Sequence, residues 1–205
     1  DFAWAAIYLG EIYRIFGELD KAQDLLENGY NTYQDGLVSD HVAIGIALEY
    51  LGRLYLDLGQ NDKAQQCLEK CLIIYEKNYG QKPHIKIAQV LHTMGKLYMQ
   101  TNTWLHAELY LKKSLVIFEI VKHPNQYMVL ESLSHLYMKK AEFDNLFSYK
   151  ETDIYRRQSI RCLYRALEII NLHFNLFSYH TRRVQKEIHD MHRTIYPQSN
   201  TSVKM

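Results

Sequence analysis

The sequence predicts an all-α solenoid, a stack of helix pairs closed by one capping helix. Three observations predict it. First, the stretch from His41 to Pro83 reads as two amphipathic helices joined by a tight turn, and the chain repeats it from His84. His41 matches His84, Leu48 matches Leu91, Gly52 matches Gly95, Tyr55 matches Tyr98 and Ala64 matches Ala107, each pair 43 residues apart. Self-similarity at a fixed period of about 20–50 residues marks a solenoid. Second, an earlier copy begins the chain, with Leu9, Gly10 and Tyr13 followed by Ala22, Leu26 and Gly29. Third, the three prolines, Pro83, Pro124 and Pro197, fall only where the repeat phase places no helix, so local signal and repeat phase agree.

The multi-position pattern carries a family resemblance. Leu51, Gly52 and Tyr55, then Ala64, Leu68 and Cys71, give a large apolar residue, a small residue and a tyrosine in one helix, and an alanine, an apolar residue and a small residue in the next. Met94, Gly95 and Tyr98, then Ala107, Leu111 and Ser114, repeat it, and the tyrosine stands 16 residues before the last small position in all three copies. This pattern resembles the tetratricopeptide repeat. Its long period of 42–43 residues, the histidines that open the pairs and the runs CLIIYEKNYG and SLVIFE resemble the kinesin-light-chain type. The resemblance implies a right-handed α-solenoid whose first helices line a concave groove that holds a partner.

Taken in order, the first helix covers roughly residues 2–16 and stops at Gly17, which tolerates positive φ. The second runs from about Leu19 to Tyr33, and QDGLVSD reads as a loop. The next pair breaks at Gly59-Gln60-Asn61-Asp62, which offers a stop and an N-cap. Gly80 ends that pair, Pro83 precedes the third and Pro124 the fourth. The fourth pair departs: Leu130, Leu133, Ser134 and Tyr137 are followed by Ser159, Leu163 and Ala166, with 13 residues inserted at AEFDNLFSYKETD. Either the first helix of this pair runs on or the insert is a loop; the recurrence of NLFSY at Asn175–Tyr179 carries no weight. Val184, Ile188 and Met191 mark a final helix that would cover the last pair. The organisation is then one domain over 1–195, with repeats at about 1–39, 40–83, 84–123 and 124–174, the insertion near 141–153, a capping helix at about 178–195 and a disordered tail over 196–205.

Composition bounds the function. The chain has 205 residues, 47% of them hydrophobic and 23% charged, with a net charge of +1, so nothing pulls the whole molecule toward nucleic acid or membrane. The balance is uneven. Residues 1–149 hold 14 Lys/Arg against 18 Asp/Glu, and residues 150–205 hold 10 against 5. No apolar run approaches the ~18 residues of a membrane span, and no signal segment opens the chain. Cys67, Cys71 and Cys162 form no disulfide framework, which fits a reducing, cytoplasmic setting. The helix-like opening at Asp1 suggests a chain cut from a longer protein.

No phosphate loop, nucleophile elbow or zinc-type cysteine pair is present, so no catalysis, cofactor or metal site is expected. His189 and His192 share a helix with Glu187, but the face is incomplete as a metal site. Tyr13, Tyr55, Tyr98 and Tyr137 take the repeat's tyrosine position and read as core, as do Tyr75 and Phe118. His41 and His84 open their helices, and the kinesin-light-chain resemblance implies that they are structural.

By the resemblance, the groove-facing positions are the second, fifth, ninth and twelfth of each first helix, the glycine being eighth. They give the rows Trp4, Ile46, Gln89, Met128; Ile7, Glu49, His92, Glu131; Glu11, Arg53, Lys96, His135; and Arg14, Leu56, Met99, Met138. From these rows the candidate partner-binding residues are Glu49, Arg53, Gln89, His92, Lys96, Met99, Glu131, His135 and Met138. Cations take carboxylates and thioethers adapt to apolar side chains, so this mixture suits an extended peptide. Against it, Glu49 with Arg53 and Glu11 with Arg14 are spaced to pair within one helix. The ninth row lacks the asparagines of the cochaperone carboxylate clamp, so a heat-shock tail is not implied.

The expected function is a protein-binding scaffold with a protein or peptide partner and no small-molecule substrate. The alternative is a regulatory or substrate-recruiting module of a larger multidomain enzyme or a secreted effector. Nucleic-acid binding through Arg156, Arg157, Arg161, Arg165, Arg182, Arg183 and Lys186 is disfavoured because no stacking platform accompanies them. A homodimer through the Tyr-, Phe- and Arg-rich late chain stays open.

Overall fold

The structure is a computed structural model that describes residues 2–80, 82–144, 149–174 and 178–195. Those residues form nine α-helices and no strand. The chain is an all-α helical solenoid that divides into two compact units, Asp1–Ile117 and Phe118–Met205.

The first unit holds α1 (Phe2–Ile15), α2 (Leu19–Gly36), α3 (Val42–Asp57), α4 (Asn61–Tyr79), α5 (Ile85–Gln100) and most of α6 (Trp104–Ile120). Its core is one continuous cluster in which α1 packs on α2 and α3 on α4, and α2 and α4 then pack on the next first helix. The pairs are held at close range by the small positions. A Cβ on Gly10 would lie 2.7 Å from Leu26 Cγ, one on Gly52 2.7 Å from Leu68 Cδ2, and one on Gly95 2.6 Å from Leu111 Cγ. The small residue of the second helix is used too: the Cys71 thiol donates to the Gly45 carbonyl at 3.1 Å and the Ser114 hydroxyl to the Ala88 carbonyl at 2.7 Å.

The turns within the pairs share one geometry. The amides of Glu18, Gln60 and Thr103 reach back to the carbonyls of Tyr13, Tyr55 and Tyr98. The residue before each of them is left-handed: Gly17 (φ 80°), Gly59 (φ 71°) and, in the third pair, Asn102 (φ 57°). That closure satisfies helix-end carbonyls that would otherwise be orphaned. Histidine opens the later pairs. His41 Nδ1 accepts from the Ala43 amide at 3.1 Å and His84 Nδ1 from the Lys86 amide at 3.2 Å. His84 also stacks on Tyr79, centroids 3.5 Å apart.

Some boundaries differ from the sequence reading. Helix α2 continues through Gln34, Asp35 and Gly36, and Leu37 ends it in an extended conformation, its side chain packed on the core. The apolar anchor at Leu37 stops the helix, not the glycine. Gln60 takes the N-cap position of α4 without a capping hydrogen bond from its side chain. Tyr13 and Tyr98 are half-buried, whereas Tyr55, Tyr75 and Phe118 are core.

The second unit holds α7 (Gln126–Asp144), α8 (Tyr149–His173) and α9 (Tyr179–Ile195). His123 Nδ1 accepts from the Asn125 amide at 3.2 Å, a third use of the histidine opening. The insertion is mostly helix. Helix α7 runs seven residues past Tyr137 and α8 opens ten before Ser159, so the pair is longer. The added length is packed: Ala141 and Thr152 are buried, and Lys140 Nζ lies 5.4 Å from the ring centroid of Tyr155, which stacks with Tyr137. Residues 145–148 and the tail over 196–205 lie outside the described residues. Helix α9 packs on α8, burying Thr181, Val184, Ile188 and Met191 on one face.

Candidate functional site

In the first unit the charged side chains of α1 and α3, together with Lys86 of α5, form one continuous network. Asp57 holds Arg14, whose Nε meets Glu11 Oε2 at 2.7 Å. Glu11 Oε1 accepts from Arg53 at 3.3 Å, and Arg53 also pairs with Glu49. Glu49 Oε2 takes Lys86 Nζ at 3.2 Å and the Tyr75 hydroxyl at 2.8 Å. This chain of groups ties α1, α3 and α5 together and is anchored in the core by Tyr75. Glu49 has no exposed surface at all, so a carboxylate placed in a groove-facing row is a buried structural anion. Burial, and next the Glu49 charge, raise the Tyr75 phenol well above its usual range, so it stays a donor. Tyr50, whose ring Arg53 and Lys86 overlie at 5.5 and 5.9 Å, is pushed up to about 12, first by burial and then by Glu49.

Helix α5 is different. Lys96 is exposed and makes no ion pair among the described residues. Gln89 Oε1 is buried with no hydrogen-bond partner, an uncommon state for a buried acceptor. His92 lies one turn from each of them on the same face and is half-buried, and Met99 is half-buried near the end of the helix. Burial, helped by the Lys96 and Arg53 charges, holds the His92 imidazole down to about 3.

That depression makes stability pH-dependent. The unfolded imidazole titrates near 6.5 and the folded one far lower, so the unfolded state binds the proton first. Stability is full above pH 6.5 and falls as the pH drops toward 3. By pH 5 the loss from this group reaches about 2 kcal/mol. Urea unfolding at pH 7 and 5 should show it, and His92→Gln should remove most of the slope.

In the second unit α9 engages the corresponding positions of α7. Arg183 Nη2 meets Glu131 Oε1 at 2.6 Å, and His135 Nε2 meets Glu187 Oε1 at 2.8 Å. The bond to Glu187, against burial, raises the His135 pKa, so this pair supports folding below pH 6.5 and loses that role as the pH rises past the folded value. Met138, in the fourth row, is half-buried one turn after His135. Among the basic residues of the late chain, Arg157 pairs with Asp153, Arg165 with Glu119 and Arg183 with Glu131.

Sequence reasoning placed Glu49, Arg53, Gln89, His92, Lys96 and Met99 on the rows of the first helices; it did not single out Lys86 or Tyr50 and read Tyr75 only as core, yet these three decide how Glu49 and Arg53 are used. Lys86 has no signal, because Ala43 takes its place in the preceding pair. No cluster of three or more metal-ligating side chains occurs among the described residues. No helix among them is long and apolar enough to cross a membrane.

The sequence profile of the tetratricopeptide repeat matches residues 1–77 and, in a second overlapping match, 46–120. The chain belongs to the tetratricopeptide-repeat family. A single-substitution form of a Podosopora anserina kinesin-light-chain-type protein with nearly identical TPR-like repeats superposes with a TM-score of 0.70 at 18% identity, over 95% of this chain and 86% of that one. The same protein without that substitution gives 0.66 at 16% identity, over 97% and 96%. BtubC (BKLC) from P. vanneervenii gives 0.57 at 15%, over 96% and 82%. At these identities the likeness is one of fold. No protein of curated function matches the chain. Tetratricopeptide repeats in general are protein–protein interaction modules, and that coarse function follows for this chain.

Proposed function

We propose that the chain holds an extended segment of a partner protein along its first helices, with α5 as the contact centre. The observation that carries this reading is the polar face of α5. Gln89 presents a buried acceptor with no partner, Lys96 presents an exposed cation with no carboxylate, and Met99 offers an adaptable apolar surface. Arg53 and Glu49, by contrast, already satisfy each other and Glu11, Lys86 and Tyr75. The partner segment supplies an N–H to Gln89 and a carboxylate to Lys96. The surface is pre-formed, so ordering the partner is the main entropic cost. No catalytic step is involved.

The test is capture from cell lysate with three baits: the wild-type chain, Gln89→Leu with Lys96→Glu, and Lys70→Glu. Lys70 sits on the other side of the first unit, at a 380 Å³ cleft lined by Tyr30, Leu48 and Ile74. A partner kept by wild type and Lys70→Glu but lost with the α5 variant supports the reading. Loss with Lys70→Glu alone places binding on the second helices and contradicts it.

A further inference from the structure

The second helices carry a surface that the repeat itself allows to be judged. Leu105, Leu109 and Val116 form one exposed row along α6, at 80%, 48% and 52% exposure. In α4 the same three positions hold Asp62, Gln66 and Ile73, and in α2 they hold Asp20, Asp24 and Asn31, all exposed. Packing of a second helix in this solenoid therefore needs nothing apolar at these positions. The row turns from wholly polar in α2 to wholly apolar in α6, and the fold gives no reason for the change. An exposed apolar row that the scaffold does not require is a mark of an interaction surface.

The row borders a cleft of 540 Å³ in the first unit. Ile87 and Leu91 of α5 form its floor, Leu72 and Glu76 of α4 one wall, and Leu109, Lys113 and Val116 of α6 the other. The two walls differ in sign. Lys113 overlies the Tyr110 ring at 5.6 Å, and neither it nor Glu76 makes an ion pair among the described residues. The equivalent cleft one repeat earlier, at Lys70, has 380 Å³, with Gln34 in the place of Glu76 and no counterpart of Leu109 in its lining.

Three physical points select the occupant. The walls are helices, whose backbone groups are already bonded within themselves. An extended segment laid there would bury its own N–H groups without acceptors, whereas a helix brings its hydrogen bonds with it. The apolar row runs over three turns, which an amphipathic helix matches with leucine-like residues at i, i+4, i+7 and i+11. A second copy of α6 is a poor match: antiparallel pairing that sets Leu109 against Val116 of the other copy brings Lys112 and Lys113 of both copies together at the two-fold axis.

We propose that the cleft between α4 and α6 docks an amphipathic helix of a partner protein, with carboxylates along its edge toward Lys113 and a cation along its edge toward Glu76. The apolar side chains of that helix lie on Leu109, Val116 and the α5 floor. This surface is independent of the polar face of α5.

The test uses a fluorescein-labelled synthetic helix of about 20 residues with leucines at those four positions, glutamates on one side of the row and lysines on the other. A control peptide has the same composition with the leucines spread around the helix. Anisotropy titration is made with the wild-type chain, Leu109→Asp with Val116→Asp, Lys113→Glu, and Lys70→Glu in the equivalent cleft. The replaced side chains are exposed, so thermal unfolding should be unchanged in all of them. The expected results are a Kd below about 50 µM for the patterned peptide and no binding of the control. The Leu109 and Val116 variant should bind at least about tenfold more weakly, and Lys70→Glu as wild type does. Lys113→Glu should weaken binding too, and a peptide with lysines on both edges should restore it. Absence of binding by the patterned peptide would overturn the proposal, as would equal affinity for wild type and the Leu109 and Val116 variant. A wild-type chain that is dimeric and made monomeric by Leu109→Asp would overturn it, because a second copy would then own the surface. Binding to phosphatidylserine vesicles that the same variant abolishes would assign the surface to a membrane and overturn it equally.

Discussion

Glu49→Ala is expected to destabilise the first unit by about 3–5 kcal/mol, the cost of breaking a buried ion pair from one side. The carboxylate is fully buried and serves three donors at once: Arg53, Lys86 and the Tyr75 hydroxyl. Removing it leaves a buried phenol without an acceptor and two half-buried cations close to the Tyr50 ring with no carboxylate between them. Chemical denaturation followed by circular dichroism measures the loss. Glu49→Gln should cost less, since it still accepts from Tyr75. The combination Glu49→Met, Arg53→Met and Lys86→Met should recover most of the stability, because apolar replacement of a whole buried charge cluster is often close to neutral. If the single change cost less than about 1 kcal/mol, the size of an exposed pair, the network would not be holding α1, α3 and α5 together.

The second large effect is steric. Gly95→Val should cost about 2–3 kcal/mol, in the range of overpacking a well-filled core. A Cβ there would fall 2.6 Å from both Cγ and Cδ2 of Leu111, which is itself fully buried, and 3.3 Å from the Leu111 amide nitrogen. Side chain and backbone would both have to move. Leu111→Ala should relieve the clash, so the double variant ought to be more stable than the sum of the two single losses, a coupling that a double-mutant cycle reads directly. The fourth pair shows the alternative: Ser134 takes the glycine's place, and its hydroxyl meets that of Ser159 at 2.8 Å where the other pairs have only van der Waals contact.

Fold was legible in the sequence because it is written at three scales that agree. Gly10, Gly52 and Gly95 mark close contact, Gly17 and Gly59 mark the left-handed turn, and the prolines mark the gaps between helices. Where one scale is silent, the reading had nothing to mark or stopped short, as it did at Tyr33 for a helix that runs to Gly36. Asn102 makes the turn of the third pair without a glycine, and Leu37 rather than Gly36 ends α2. The site was less legible. Helical spacing places Glu49 and Arg53 on one row, but burial, which separates a binding group from a structural anion, depends on Lys86 and Tyr75 from other helices. The same holds for Glu131 and His135, whose partners Arg183 and Glu187 lie 52 residues away on α9. Nothing in a single helix's pattern reports such contacts.

The most direct test of the central claim is calorimetric titration of the captured partner segment into the wild-type chain, Lys96→Glu, Gln89→Leu and Lys70→Glu, each checked to be folded. The α5 site predicts at least about tenfold weaker binding for Lys96→Glu, some 1.4 kcal/mol, with a measurable loss for Gln89→Leu and none for Lys70→Glu. Equal affinities for all four proteins would contradict it and move the binding surface away from α5.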